Sequence, residues 1–185
     1  MQLEALEIPD VKLLVPKKFG DDRGFFSETY NQATLSALGI DHDFVQDNHS
    51  LSRDTGVVRG LHFQCEPHAQ AKLVRVVRGR ILDVALDIRK ASPTFGRWVT
   101  AEISATEWNQ IYIPKGFAHG FMTLEPDTEV IYKVSSTYAP DAERTIIWND
   151  PDLGIDWPLS SDNATLSAKD ADGMRFADYR ANPAF

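Results

Sequence analysis

Hydrophobic and polar residues alternate in short runs through most of this chain. A period of two marks strands half buried on a sheet, whereas helices repeat every 3.6 residues. Residues 73–77, 81–88, 97–103, 110–113, 120–124 and 129–134 read as successive short strands, with a turn at Arg78-Gly79 and a loop at 92–96. Residues 25–30 and 57–64 carry the same signal. Residues 44–50 begin as a strand and run into Asp and Asn, which suit a turn equally well. Residues 19–24 read as a turn-rich loop carrying Arg23. Helical spacing stands out at 31–39, where Asn31 suits an N-cap, Leu35 and Leu38 are three apart, and Gly39 suits the stop. Short strands at regular spacing predict an all-β sandwich or barrel with short peripheral helices.

The two ends break the pattern. Residues 6–15 are apolar but interrupted by Pro9 and flanked by Pro16, so 1–15 reads as an arm or edge strand. Residues 139–185 are richer in Asp, Asn and Pro and read as a loop-rich tail with short helical turns, packed on the core. One domain over 1–185 accommodates all of this, since single cores commonly reach about 200 residues.

Composition narrows the function. Hydrophobic residues make up 43% of the chain, enough for a core, and the formal net charge of −8 argues against binding nucleic acid or an anionic membrane. A small anionic ligand needs only a local basic cluster and is not excluded. Cys65 is the single cysteine, so no intramolecular disulfide forms and a cytoplasmic setting fits. It lies three residues after His62 but reads as inert filler rather than a nucleophile. The N-terminus lacks the pattern of a signal peptide, and no window of 18 apolar residues suggests a membrane span.

Candidate chemistry concentrates in Arg59-Gly-Leu-His62-Phe-Gln64. A titratable group among apolar residues costs free energy unless paired, so this run is a satisfied core or a site. Strict alternation puts His62 with Gly60 and Gln64 and leaves Arg59 on the opposite face unless the strand bends. Pro114-Lys-Gly-Phe-Ala-His119 resembles the second motif of cupins, double-sheet jelly rolls. The His-x-His and downstream Glu of metal-binding cupins are missing, so no metal is expected. Asp83 lies on a different face from Leu82, Val84 and Leu86; it either meets solvent or orients a base such as His119. Tyr132 shares a face with Val130 and Val134 and reads as a core tyrosine, and Lys169-Asp170 reads as surface.

Together with Gln70-Ala-Lys-Leu-Val-Arg75, Gly79 to Arg89, Ser92-Pro-Thr-Phe-Gly96, Ile113 to Phe121 and Leu166-Ser-Ala-Lys-Asp170, the His62 run resembles the dTDP-4-dehydrorhamnose 3,5-epimerase family. The match runs from about Ile8 to Asp170, and the tail beyond carries none. The resemblance implies a cupin-type jelly roll, a homodimer, no cofactor and no metal. It implies epimerisation at C3 and C5 of dTDP-4-dehydro-6-deoxy-D-glucose, with proton removal alpha to the C4 ketone and return on the other face. By the same resemblance His62 is the base, Asp170 its hydrogen-bond partner, Tyr132 the acid, and Lys72 the charge stabiliser at the C4 oxygen. Arg23, Glu28, Gln46, Asp47, Asn48, Arg59, His119, Glu143 and Lys169 match nucleotide-sugar contacts, and Tyr138 a residue stacking on thymine. Two alternatives remain at this point: a 3- or 5-epimerase of another dTDP-4-keto sugar, and a catalytically silent sugar-binding jelly roll.

Overall fold

A computed structural model describes residues 1–159 and 163–185. Two antiparallel sheets face each other. The first takes the order β1 (Gln2–Ala5), β2 (Lys12–Val15), β10 (Gln110–Ile113), β7 (Lys72–Arg78), β12 (Thr128–Val134), β5 (Gln46–Ser52). The second is β13 (Glu143–Thr145), β6 (Val58–Gln64), β11 (Phe117–Thr123), β8 (Arg80–Asp87), β9 (Trp98–Ser104). A hairpin of β3 (Lys18–Asp21) and β4 (Gly24–Ser27) stands apart from both. The expected double-sheet jelly roll is what forms. The Arg78-Gly79 turn is not a hairpin, because it passes the chain from the first sheet to the second. Gly79 has φ +78°, and a Cβ there would lie 2.3 Å from Thr128 Oγ1, so only glycine fits the crossing.

The main core fills the space between the sheets. Val74, Val76, Ile111, Ile113 and Val130 of the first sheet meet Ile81, Ala85, Val99, Ile103, Phe117 and Phe121 of the second. Burying one such aliphatic or aromatic side chain contributes about 1.5–3 kcal/mol. The second sheet is covered on its other side as well. Leu61, Phe63, Val84, Leu86 and Ala118 pack there against Ile146, Leu153, Phe176 and Tyr179. Hence β11 is buried at all seven positions instead of alternating.

Several sequence expectations need correction. The tail holds more than loops and helical turns: β13 adds an edge strand beside β6, followed by the helices α2 (Ala168–Ala171) and α3 (Phe176–Ala181). Residues 19–24 belong mostly to the β3–β4 hairpin rather than a loop. The arm is a hairpin in which β2 pairs on both sides, with β1 and β10, so β1 is the edge. Residues 46–52 form a strand, which bears out the strand reading of 44–50 over the turn. The helix α1 (Gln32–Ala37) is as expected, with the Asn31 side chain accepting from Thr34 N at 3.1 Å and Gly39 at φ +76°.

Candidate active site

A cavity of about 300 Å³ opens between the two sheets. Arg59 and His62 reach it from β6, His119 and Phe121 from β11, Lys72 from β7, Tyr132 from β12, and Ser50 from β5. Glu143 of β13 and Ser167, Lys169 and Asp170 of the tail close it. A smaller adjoining recess is lined by Gln46, Asn48, Gln64, Gln70 and Tyr138 among others.

A bulge in β6 answers how Arg59 and His62 share this space. His62 pairs with His119 and Arg59 with Phe121, so three steps along β6 match two along β11. The extra residue is taken up at Gly60-Leu61, and Arg59 and His62 then face the same side. Gly60 has φ +129°, and a Cβ there would sit 2.5 Å from Gly120 Cα, so the approach of these two backbones demands glycine.

Two histidine–carboxylate pairs stand side by side. His62 Nε2 lies 2.5 Å from Asp170 Oδ1, and Asp170 also accepts from Ser167 Oγ at 2.7 Å and from Gly60 N at 3.3 Å. Burial would raise the Asp170 carboxyl, but these donors outweigh it and hold the group below the usual carboxylate range. His119 Nε2 lies 2.8 Å from Asp83 Oδ2. The sequence left Asp83 between solvent and an orienting role; it is fully buried and bonded to His119. Burial lowers the His119 pKa despite Asp83, with Lys72 and His62 adding to the effect, so a neutral ring is favoured. Asp83 Oδ1 is buried and has no hydrogen-bond partner among the described residues.

Lys72 is buried, and that burial pushes its pKa down to about 8, although Asp83 and Glu143 pull upward. Tyr132 is raised, first by burial and then by Glu143 against the opposing Arg59, so its hydroxyl keeps its proton at neutral pH. Glu143 Oε2 takes Lys169 Nζ at 2.5 Å and the Tyr138 hydroxyl at 2.8 Å. Burial works against ionising Glu143, but these two contacts prevail and lower its pKa. Gln64 bonds His68 O, Thr137 O and Ala139 N, which anchors the segment that presents Tyr138. The Tyr138 ring itself is exposed.

Of the residues expected at the site, Arg59, His62, Lys72, His119, Tyr132, Glu143, Lys169 and Asp170 line the cavity, and Gln46, Asn48 and Tyr138 the recess. Asp47 points the other way on β5 and pairs with Lys133 at 2.9 Å. Arg23 pairs with Asp21 on the exposed hairpin, and neither Arg23 nor Glu28 lines the cavity or the recess. Ser50, Phe121 and Ser167 were not expected. Each had a weak signal: Ser50 and Phe121 lie two residues from Asn48 and His119, and Ser167 precedes Asp170 by three, as an N-cap does. Among the described residues no three His, Cys, Asp or Glu side chains are grouped to hold a metal ion.

The profile described as dTDP-4-dehydrorhamnose 3,5-epimerase matches residues 5–178. This chain belongs to the dTDP-4-dehydrorhamnose 3,5-epimerase family. It is an isomerase, and its fold is the family's jelly roll. The epimerase of that name from Pseudomonas aeruginosa is 53% identical over 184 residues, covering 99% of this chain and 100% of the relative. The Bacillus anthracis epimerase, solved with TDP and PPi bound, is 49% identical with a TM-score of 0.91, covering 94% of this chain and 98% of that one. A Legionella pneumophila epimerase solved with dTDP-4-keto-L-rhamnose is 44% identical with a TM-score of 0.90, covering 95% and 93%. The family profile extends eight residues beyond Asp170, where the sequence motifs alone had stopped. Among the described residues no helix is long and apolar enough to cross a membrane.

Proposed function

We propose that this cavity converts dTDP-4-dehydro-6-deoxy-D-glucose to dTDP-4-dehydro-L-rhamnose by inverting C5 and C3 in turn, a step of dTDP-L-rhamnose biosynthesis. The observation that carries this reading is the placement of a base and an acid on opposed sheets. His62, backed by Asp170, comes from the second sheet, and Tyr132 comes from the first. Epimerisation needs a proton taken from one face of a carbon and returned to the other. With Nε2 committed to Asp170, His62 Nδ1 takes the proton alpha to the ketone. The electron pair moves onto the C4 oxygen, where the Lys72 ammonium stabilises it. The Tyr132 hydroxyl then delivers a proton to the opposite face. A ketone acidifies both neighbouring carbons, so the chemistry calls for no cofactor.

Binding follows the charge. Arg59 and Lys169 supply positive charge for a diphosphate on a protein of net charge −8, and the exposed Tyr138 ring offers a face to the thymine. Gln46 and Asn48 line the recess beside Tyr138, and His119 the wall beside His62. Arg23, Glu28 and Asp47, which lie outside the cavity, join only if a second copy brings them there or the substrate extends to them. A homodimer and a cytoplasmic setting complete the reading. A mere sugar-binding module would not need an acid and a base across one cavity.

Incubation with dTDP-4-dehydro-6-deoxyglucose in heavy water tests the assignment. Deuterium is expected at both C5 and C3. Label at one carbon would make the chain a mono-epimerase, and none at either would end the catalytic reading.

A further inference from the structure

We propose that Ser167 is a positioning residue for proton abstraction: its hydroxyl fixes the Asp170 carboxylate so that the abstracted proton stays on His62. The inference rests on His62 acting as the base. Asp170 is 4% exposed, and its two oxygens are divided between tasks. Oδ1 faces His62 Nε2 at 2.5 Å and Gly60 N at 3.3 Å. Oδ2 takes the Ser167 hydroxyl at 2.7 Å. Ser167 is also the N-cap of α2, accepting from Asp170 N at 3.2 Å. In a capping box the acidic side chain three residues on reaches back to the N-cap N–H. Here that carboxylate turns to the serine hydroxyl and the imidazole instead.

This arrangement has a chemical use. Burial favours a protonated Asp170, which would draw the proton off the imidazolium once His62 had taken it. Donors from Ser167 and Gly60 spread the carboxylate's charge and oppose that transfer. The other charged or titratable groups around His62 are Arg59, Lys72, His119, Tyr132, Glu143 and Lys169. Glu143 is engaged by Lys169 at 2.5 Å, so Asp170 is the carboxylate that His62 answers to.

Loss of the hydroxyl raises the proton affinity of Asp170, so the His62–Asp170 pair gives up its proton only at higher pH. Ser167→Ala and Ser167→Gly are both expected to slow deuterium incorporation about tenfold, through kcat rather than KM, and to move the acidic limb of the pH profile upward by about half a unit to one unit. Ser167→Thr, which keeps the hydroxyl, is expected to restore both. Glycine is nearly as good an N-cap as serine, so it separates the cap from the hydroxyl. A wild-type limb and rate in Ser167→Gly would overturn the proposal, as would Ser167→Thr being as impaired as Ser167→Ala. Failure of the wild-type chain to incorporate deuterium would instead remove the reading of His62 on which it rests.

Discussion

At the scale of single residues, Lys72 shows function opposed to stability. An ammonium in a dry site is costly, and its pKa of about 8 against an ordinary 10.5 expresses that cost. The folded-state value lies below the unfolded one, so the penalty is fully present below pH 8. It is relieved as pH rises from about 8 toward 10.5, where the unfolded chain holds the proton and the folded one does not. Lys72→Met is therefore expected to raise stability at pH 7 by roughly 1–3 kcal/mol while lowering kcat about 10²–10³-fold through loss of enolate stabilisation. Thermal unfolding and initial rates measure the two effects. The wild-type rate is also expected to fall along an alkaline limb near pH 8 that Lys72→Met lacks. A variant both less stable and nearly as active would remove Lys72 from the C4 oxygen.

At the scale of elements, the β6 bulge decides what the cavity contains. Gly60→Ala would drive a Cβ to 2.5 Å from Gly120 Cα and 2.7 Å from His119 O, at a φ of +129° that alanine resists. The expected cost is about 2–4 kcal/mol of stability, with label incorporation lost more than 100-fold as Arg59 and His62 part company. Thermal unfolding and deuterium incorporation would follow the two effects, and retention of both near wild-type values would mean that the bulge is dispensable. The strands themselves were largely legible, because alternation at 73–77, 81–88 and 129–134 reports sheet faces directly. The bulge was not, since one extra residue leaves the hydrophobic pattern of a seven-residue strand almost unchanged. Strand β13 was missed because three residues, Glu143 to Thr145, are too few to show a period. Lys169-Asp170 looked like surface because a carboxylate's burial depends on a partner 108 residues away in sequence, His62. Motif resemblance, not periodicity, had linked them.

At the scale of the whole molecule, one chain leaves apolar surface uncovered. Phe19 and Phe26 sit opposite each other on the β3–β4 hairpin, 53% and 70% exposed, and β1 has an open edge with every residue exposed. Two copies of net charge −8 repel, so association of the expected homodimer must come from apolar burial and backbone pairing. Salt screens the repulsion without weakening the apolar contact, and the dimer is therefore expected to hold or strengthen as ionic strength rises. A pairing built on ion pairs would loosen instead. Phe26→Asp removes about 1.5–3 kcal/mol of burial from each of two symmetric contacts, weakening the dimer by about 10²–10⁴-fold, and also places a new negative charge there. Sedimentation should then show twice 20.7 kDa for the wild-type chain and a concentration-dependent shift toward 20.7 kDa for the variant. His62, Asp170, Lys72 and Tyr132 all belong to one chain, so the monomeric variant is expected to keep its fold and the His62–Asp170 contact while losing whatever a second copy adds to substrate binding. A wild-type protein that sediments at 20.7 kDa and is fully active would sink the dimer, and with it any role for Arg23 and Glu28 across the interface.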